Sequence, residues 1–104
     1  MGRPTAKSKD KREICLNTAM SAVTGDRQLN YGSPEDNFER IAIMWNAYLD
    51  IRPVPREAPI AAVDVAHFQD LLKTARLVNN PAHADSWADK AGYSACGAAI
   101  TNAK

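Results

Sequence analysis

The amino-acid sequence predicts an all-α fold, a four-helix bundle-like domain. Apolar residues recur at helical spacing in four segments, and no segment alternates with the two-residue period of a half-buried strand. Glycine, proline and asparagine clusters separate the four segments. With 104 residues, an isolated copy buries only about two-thirds of its unfolded surface. We therefore expect a homo-oligomer.

The first predicted helix covers about residues 9–24, and Gly25 is placed to end it. The second begins at a strong start signal: Ser33 can cap free amide groups, Pro34 suits the first helical position, and two acidic residues follow. It extends to about Asp50. Its predicted apolar face consists of Phe38, Ile41, Ala42, Trp45, Tyr48 and Leu49.

Residues 52–59 contain three prolines, which predicts a stiff, extended linker between the second and third helices. The third helix covers about residues 61–79. Its apolar face contains Val65, Phe68, Leu71, Leu72 and Ala75, and Ile43 of the second helix is a spare apolar position that a second subunit would cover. The last helix covers about residues 84–102 and is rich in small residues, and its Gly92 and Gly97 suggest a close approach by another backbone or a ligand.

The net charge of +1 hides an asymmetry along the chain. Residues 1–12 hold five of the 13 basic residues and one of the 12 acidic residues, which leaves 8 minus 11, or −3, for residues 13–104. We expect residues 1–12 to be a basic flexible arm and residues 13–104 to be a single helical domain. The acidic body argues against nucleic acid as a partner. No apolar run has the length of a membrane span or of a signal peptide, so we expect a cytoplasmic protein.

A candidate site surrounds the turn between the last two helices. Lys73 and Arg76 form a polar stripe at the edge of the core, and an ammonium beside a guanidinium suits a phosphate group. His83 precedes the last helix and can donate a hydrogen bond. The alternative is structural, since either cation can pair with Asp85 or Asp89 as an interhelical salt bridge. The two interpretations are compatible, because an ion pair can reopen toward a ligand.

The remaining site residues follow from this arrangement. Asp85 and Asp89, four residues apart, would orient the cations or accept hydrogen bonds from a ribose or a base, and Tyr31 or Trp45 would stack on the base. The alternative is a magnesium site formed by Glu35, Glu39, Asp85 and Asp89. Asp85 can also cap the last helix instead. The primary expectation includes no cofactor, and the alternative includes Mg²⁺.

Residues 28–100 contain a set of short motifs, and as a set these motifs resemble a family of small uncharacterised proteins from tailed phages and prophages. That family is similar to the nucleotide-modification-associated domains and, more remotely, to all-α nucleoside triphosphate pyrophosphohydrolases of the MazG and dimeric dUTPase kind. The set is Tyr31-Gly32, Asn37-Phe38, Asp64-Val65-Ala66, Lys73-x-x-Arg76 and Asp85-x-x-x-Asp89-x-Ala91-Gly92-Tyr93.

The resemblance implies that the ligand is a nucleotide, and the differences from the remote enzymes argue against its hydrolysis. The remote enzymes bind magnesium through paired acidic motifs on two helices, whereas this chain has Lys73-x-x-Arg76 where one pair of glutamates belongs and Ser86 in place of another acid. Two cations attract phosphate and repel a metal ion. We therefore expect a phage-type protein that captures a phosphorylated nucleotide without hydrolysis, such as a signalling nucleotide of host defence, in the host cell cytoplasm. We leave open whether the protein is an enzyme, and the incomplete acidic motif favours a protein that is not. The alternatives are a magnesium-dependent pyrophosphohydrolase and a structural, partner-binding helical protein.

Overall fold

A computed structural model describes residues 10–25 and 32–104. Within those two ranges the chain forms four α-helices and no β-strand, which confirms the all-α prediction. The helices are α1 (Lys11–Thr24), α2 (Pro34–Ile51), α3 (Ala62–Asn79) and α4 (Ala84–Ile100). Most of the predicted basic arm lies outside the described residues, so the division of the chain at residue 12 stays a prediction.

Local signals determine where the helices begin and end. The Ser33 hydroxyl accepts a hydrogen bond from the backbone N–H of Asp36 at 3.2 Å, and Pro34 occupies the first position of α2. At the end of α1, the N–H of Gly25 donates to the carbonyl of Ser21 at 3.0 Å. Both boundaries are those that the sequence predicts.

The helix α3 is the centre of the described fold, because α4 packs closely along one of its sides and α2 packs on another. The buried apolar residues are few: Ile41 on α2, and Phe68, Ala75 and Leu77 on α3. Small residues allow the α3–α4 contact, since a Cβ atom on Gly97 would lie 3.5 Å from the Cβ of Ala66. Gly92 differs, because nothing lies within 4 Å of its Cβ position and the expected close approach is absent there within the described chain.

Much of the predicted apolar surface is uncovered. Phe38, which the sequence places on the core face of α2, is 60% exposed, although Ile41 on the same face is buried. Ile43 is 63% exposed, in line with its position opposite the core. The two cysteines, Cys15 and Cys96, are also exposed. A single described chain thus leaves a large share of its apolar side chains in contact with water.

A buried ion pair joins α2, the proline-rich segment and α3. The Arg52 guanidinium lies 3.1 Å from the Asp64 carboxylate, and both side chains are 7% exposed. The guanidinium also donates to the carbonyl of Ala58 at 3.1 Å, while Asp64 accepts from the Tyr48 hydroxyl at 2.6 Å and from the Ala61 N–H at 2.7 Å. The prediction of an extended linker is wrong, because the segment folds back around the Arg52 side chain.

The same contacts shift two pKa values. The Ala61 N–H and the Tyr48 hydroxyl, assisted by the Arg52 charge, hold the pKa of Asp64 below its usual value of 3.8. Burial, together with the hydrogen bond to Asp64, raises the pKa of Tyr48 to about 12. Tyr48 therefore stays protonated and Asp64 stays ionised at neutral pH, which preserves the hydrogen bond between them.

Replacing Arg52 tests the importance of this ion pair for stability. We expect Arg52→Met to lower the free energy of unfolding by more than the ~1 kcal/mol that bounds a solvent-exposed pair, because it leaves the Asp64 carboxylate buried without its cation. The matched control is Arg56→Met, since Arg56 pairs with Asp50 at 2.7 Å but both side chains are about half exposed. Urea unfolding followed by circular dichroism measures both variants. Equal losses in the two variants would contradict the central role of Arg52.

The lowered pKa of Asp64 predicts how this contribution depends on pH. A carboxylate with a lowered folded-state pKa stabilises the fold fully above its unfolded-state pKa and loses that contribution as the pH falls through the folded-state value. The difference in unfolding free energy between the wild type and Asp64→Asn should therefore be largest at neutral pH and should shrink below pH 3.8. A difference that stays constant from pH 7 to below that value would show that the charge of Asp64 is not involved.

Candidate functional site

Lys73 is the buried cation of the candidate site. It lies on α3 with 8% of its surface exposed, and its Nζ is 2.9 Å from an Oδ atom of Asp89 on α4. The side chain of Asp89 is 51% exposed. The predicted interhelical salt bridge is therefore present, and it joins a buried ammonium to a carboxylate that can turn toward solvent.

A second ion pair joins the same two helices. The Nζ of Lys90 on α4 donates to Asp70 at 2.9 Å and to the Thr74 hydroxyl at 2.8 Å, both on α3. Lys90 has two partners, and its side chain is more exposed than that of Lys73. It is a structural counterpart of Lys73, and it provides a control for any experiment on the candidate site.

The helix α4 begins beside this cluster. His83 precedes the helix, and its Nδ1 shares a hydrogen bond of 2.7 Å with the Ser86 hydroxyl, whose residue is only 1% exposed. Asp85 lies in the first turn and is exposed, and His83 occupies the capping position. The alternative in which Asp85 caps the last helix is therefore wrong, because the helix begins at Ala84 and a cap at Asp85 requires it to begin two residues later.

A cluster of polar side chains that the sequence did not reveal lies near Gly32, between the start of α2 and the end of α3. Asn37 is 3% exposed, and its side-chain oxygen has no hydrogen-bond partner among the described residues. The same holds for one terminal nitrogen, Nη1, of Arg40. Gly32 has φ +77°, and a Cβ atom there would lie 3.1 Å from the Asn79 side-chain oxygen and 3.7 Å from Arg40 Nη1. The absence of a side chain at Gly32 thus leaves room for two polar groups.

Two cations and an amide lie along the side of α3 between its two neighbours. Lys73, Arg76 and Asn79 follow one another at three-residue spacing, so Arg76 lies between Lys73 on the α4 side and Asn79 on the α2 side. Arg76 is half-buried. Arg40 approaches from α2 near Asn79. We call Arg40, Lys73 and Arg76 the basic seam.

The remaining predicted ligand residues are the two aromatic residues Trp45 and Tyr31. The indole N–H of Trp45 donates to the Phe68 carbonyl at 3.0 Å, and its ring lies 4.8 Å from that of Phe68. Trp45 thus contributes to the core, although its half-buried ring also lines an apolar groove on α2. Tyr31 lies outside the described residues. The stacking roles of Tyr31 and Trp45 stay predictions.

The magnesium alternative has no assembled ligand set in this part of the chain. Among the described residues, no three His, Cys, Asp or Glu side chains are placed together so that they could hold a metal ion. Glu35, Glu39 and Asp85 are exposed, and Asp89 is paired with Lys73. Binding of Mg²⁺ by these four carboxylates stays a prediction.

Comparison with known proteins identifies relatives of the domain in phages. The chain is 38% identical over 84 residues to the Gene 55 protein of Mycobacterium phage D29, and 40% identical over 78 residues to the Gene 55 protein of Mycobacterium phage L5. These matches cover 81% and 75% of this chain but 51% and 46% of the relatives, so the chain spans about half the length of the proteins it matches. No solved structure matches the chain.

These matches define a small, all-helical domain of phage proteins. The chain belongs to the family described as Domain of unknown function (DUF6378), whose model matches residues 14–101. The phage part of the resemblance is thus confirmed, whereas the similarity to nucleotide-modification-associated domains and to MazG-like enzymes stays a prediction. None of the helices in the described ranges is long and apolar enough to cross a membrane.

Two glycine substitutions test the geometry beside the seam. We expect Gly32→Ala to destabilise the protein by about 1–2 kcal/mol, because a positive φ is unfavourable for a residue with a Cβ atom and that atom would crowd Asn79 and Arg40. Gly92→Ala should instead stabilise α4 by roughly 0.5–1 kcal/mol, because its Cβ position is open. Thermal unfolding measures both variants. A neutral effect of Gly32→Ala would show that the surroundings of Gly32 are less closely packed than described.

Proposed function

We propose that the domain captures a phosphorylated nucleotide at the basic seam and does not hydrolyse it. The observation that supports this most strongly is the environment of Lys73, whose buried ammonium has a half-exposed carboxylate as its partner. Burial of an ammonium is costly unless an anion compensates it. A phosphate group, with more charge and more acceptor oxygens than Asp89, can compensate Lys73 more fully.

The donors around Lys73 support a ligand with several phosphate oxygens. Arg40 Nη1 is a buried donor without a partner among the described residues, and phosphate oxygens are the acceptors that a guanidinium binds best. Arg76 lies between Arg40 and Lys73 along the seam, and His83 lies at the start of α4. In this proposal Asp89 rotates away from Lys73 when the ligand enters, and Asp85 remains available to a ribose or a base.

The same charges favour binding over hydrolysis. Magnesium-dependent hydrolysis of a phosphoanhydride requires carboxylates gathered around the metal, whereas Lys73 and Arg76 present positive charge at this position. A nucleotide is the ligand that the resemblance implies, and the phage relatives make a signalling nucleotide of host defence a suitable candidate. Capture without turnover would remove such a molecule from its receptor.

Native mass spectrometry tests the proposal directly. The protein, both as purified from cells and after incubation with a panel of nucleotides, should carry an intact nucleotide. Lys73→Met and Arg76→Met should each weaken binding by about 10-fold or more, since a hydrogen bond to a charged group contributes ~1.5–3 kcal/mol. Lys90→Met is the matched control and should bind as the wild type does, with circular dichroism confirming the helical fold of every variant.

Three other results would overturn the proposal. Magnesium-dependent release of a monophosphate and pyrophosphate would identify a pyrophosphohydrolase. Absence of any retained nucleotide at millimolar concentration would favour a structural protein. Equal weakening by Lys90→Met and Lys73→Met would show that the loss follows from helix packing and not from contact with the phosphate.

A further inference from the structure

An apolar groove on α2 and α3 lies open to solvent. It has a volume of about 310 Å³ and is lined by Phe38, Ile41, Ala42, Trp45 and Leu72. The four α2 residues stand at positions i, i+3, i+4 and i+7, which is the spacing of a stripe that packs against another helix. Phe38, at one end of the stripe, is 60% exposed. The groove therefore has the form of a helix-binding surface without its helix.

The helix α1 carries a stripe of the same form. Leu16, Ala19, Met20 and Val23 repeat the spacing i, i+3, i+4 and i+7, and each is exposed. Both stripes span eight residues of helix, or roughly 10 Å. The helix α1 has no buried residue and packs against none of the other described helices. It therefore lies away from the groove of its own chain.

The exposed apolar side chains of the described residues indicate what has to be covered. Leu16, Met20 and Val23 of α1 are 55–69% exposed, and Phe38 at one end of the groove is 60% exposed. Removal of such surface from water contributes about 25 cal/mol per Å². Because α1 contacts none of the other described helices of its own chain, a second copy of the chain can supply the helix that the groove lacks.

We infer that the groove binds α1 of a second copy of this chain, with the stripe of Leu16, Ala19, Met20 and Val23 packed on Phe38, Ile41, Ala42 and Trp45. Exchange of α1 in both directions produces a two-fold symmetric dimer, because each copy supplies one helix and one groove. The arrangement buries the apolar surface that each isolated chain exposes. It involves neither Lys73 nor Arg76, so it holds whether or not the seam binds a nucleotide.

Disulfide trapping between two different chains tests the identity of the occupant. In a background of Cys15→Ser and Cys96→Ser, one chain carries Ala19→Cys on α1 and a differently tagged chain carries Ala42→Cys in the groove. After the two chains are unfolded together and refolded, mild oxidation should produce a disulfide-linked heterodimer. Ser21→Cys, which faces the opposite side of α1, is the matched control and should give at least 10-fold less heterodimer.

The same chemistry identifies the outcomes that overturn the inference. If Ala19→Cys and Ala42→Cys form a disulfide only when both are present in one chain, the groove binds its own α1. If Ser21→Cys crosslinks as efficiently as Ala19→Cys, the contact is not specific. If neither heterodimer forms, the groove does not bind α1.

Mass measurement provides a second test that needs no crosslink. Light scattering coupled to size-exclusion chromatography should give a mass of at least two chains for the wild type. The double variant Leu16→Asp with Val23→Asp should give the mass of one chain with its helical content retained, because α1 contributes nothing to the core of its own chain. Thr18→Asp with Ser21→Asp, on the other side of α1, should leave the mass unchanged. A monomeric wild type, or an unchanged mass for Leu16→Asp with Val23→Asp, would overturn the inference.

Discussion

The described fold depends on the buried pair of Arg52 and Asp64. Arg52 ends α2, Asp64 begins α3, and the eleven intervening residues fold around their charges instead of extending between the two helices. The pair also places Tyr48 and Trp45 against Phe68, because the Tyr48 hydroxyl binds Asp64 at the same point. A buried pair of this kind is costly to break, and it specifies one arrangement of the helices more than it adds net stability. The orientation of α2 on α3, and with it the position of Arg40, follows from this contact.

The pairs of Lys73 with Asp89 and of Lys90 with Asp70 join the same two helices but differ in burial. Lys90 is held by a carboxylate and a hydroxyl, and this arrangement satisfies the ammonium within the protein. Lys73 is more deeply buried and has a more exposed partner. A pair with only a structural role would be more stable with an enclosed carboxylate, as in the pair of Arg52 and Asp64. The contrast among these three pairs is the physical basis for the proposal that Lys73 binds a ligand.

The parts of the structure that depend on neighbouring residues were predictable from the sequence. Ser33, Pro34 and Gly25 act within one turn of their own helices, so the boundaries of α1 and α2 follow from local chemistry. The pairing of Lys73 with Asp89 was also an expectation, because two helices joined by a short turn bring residues near that turn together. The cap of α4 is His83, two residues before the alternative cap at Asp85.

Features that depend on distant residues were not predictable in this way. Arg52 belongs to the predicted linker, and the sequence pattern does not show that its guanidinium binds the carbonyls of Arg56 and Ala58 in the segment that follows it. Helical periodicity does not reveal the surroundings of Arg40, whose guanidinium lies near Gly32 and Asn79. Phe38 was assigned to a core, although no described element of its own chain covers it. In the inferred dimer that assignment is correct, but the core forms between two chains.

The central claim is that Lys73 exchanges its Asp89 partner for a phosphate, and NMR of the side-chain ammonium groups tests it most directly. The wild-type protein would be titrated with the nucleotide that copurifies with it, or with an equimolar mixture of nucleoside triphosphates. The account predicts a saturable shift of the Lys73 Nζ resonance together with the guanidinium resonances of Arg40 and Arg76, while Lys90 does not change. An unchanged Lys73 resonance at saturating nucleotide, or equal shifts of Lys73 and Lys90, would contradict it.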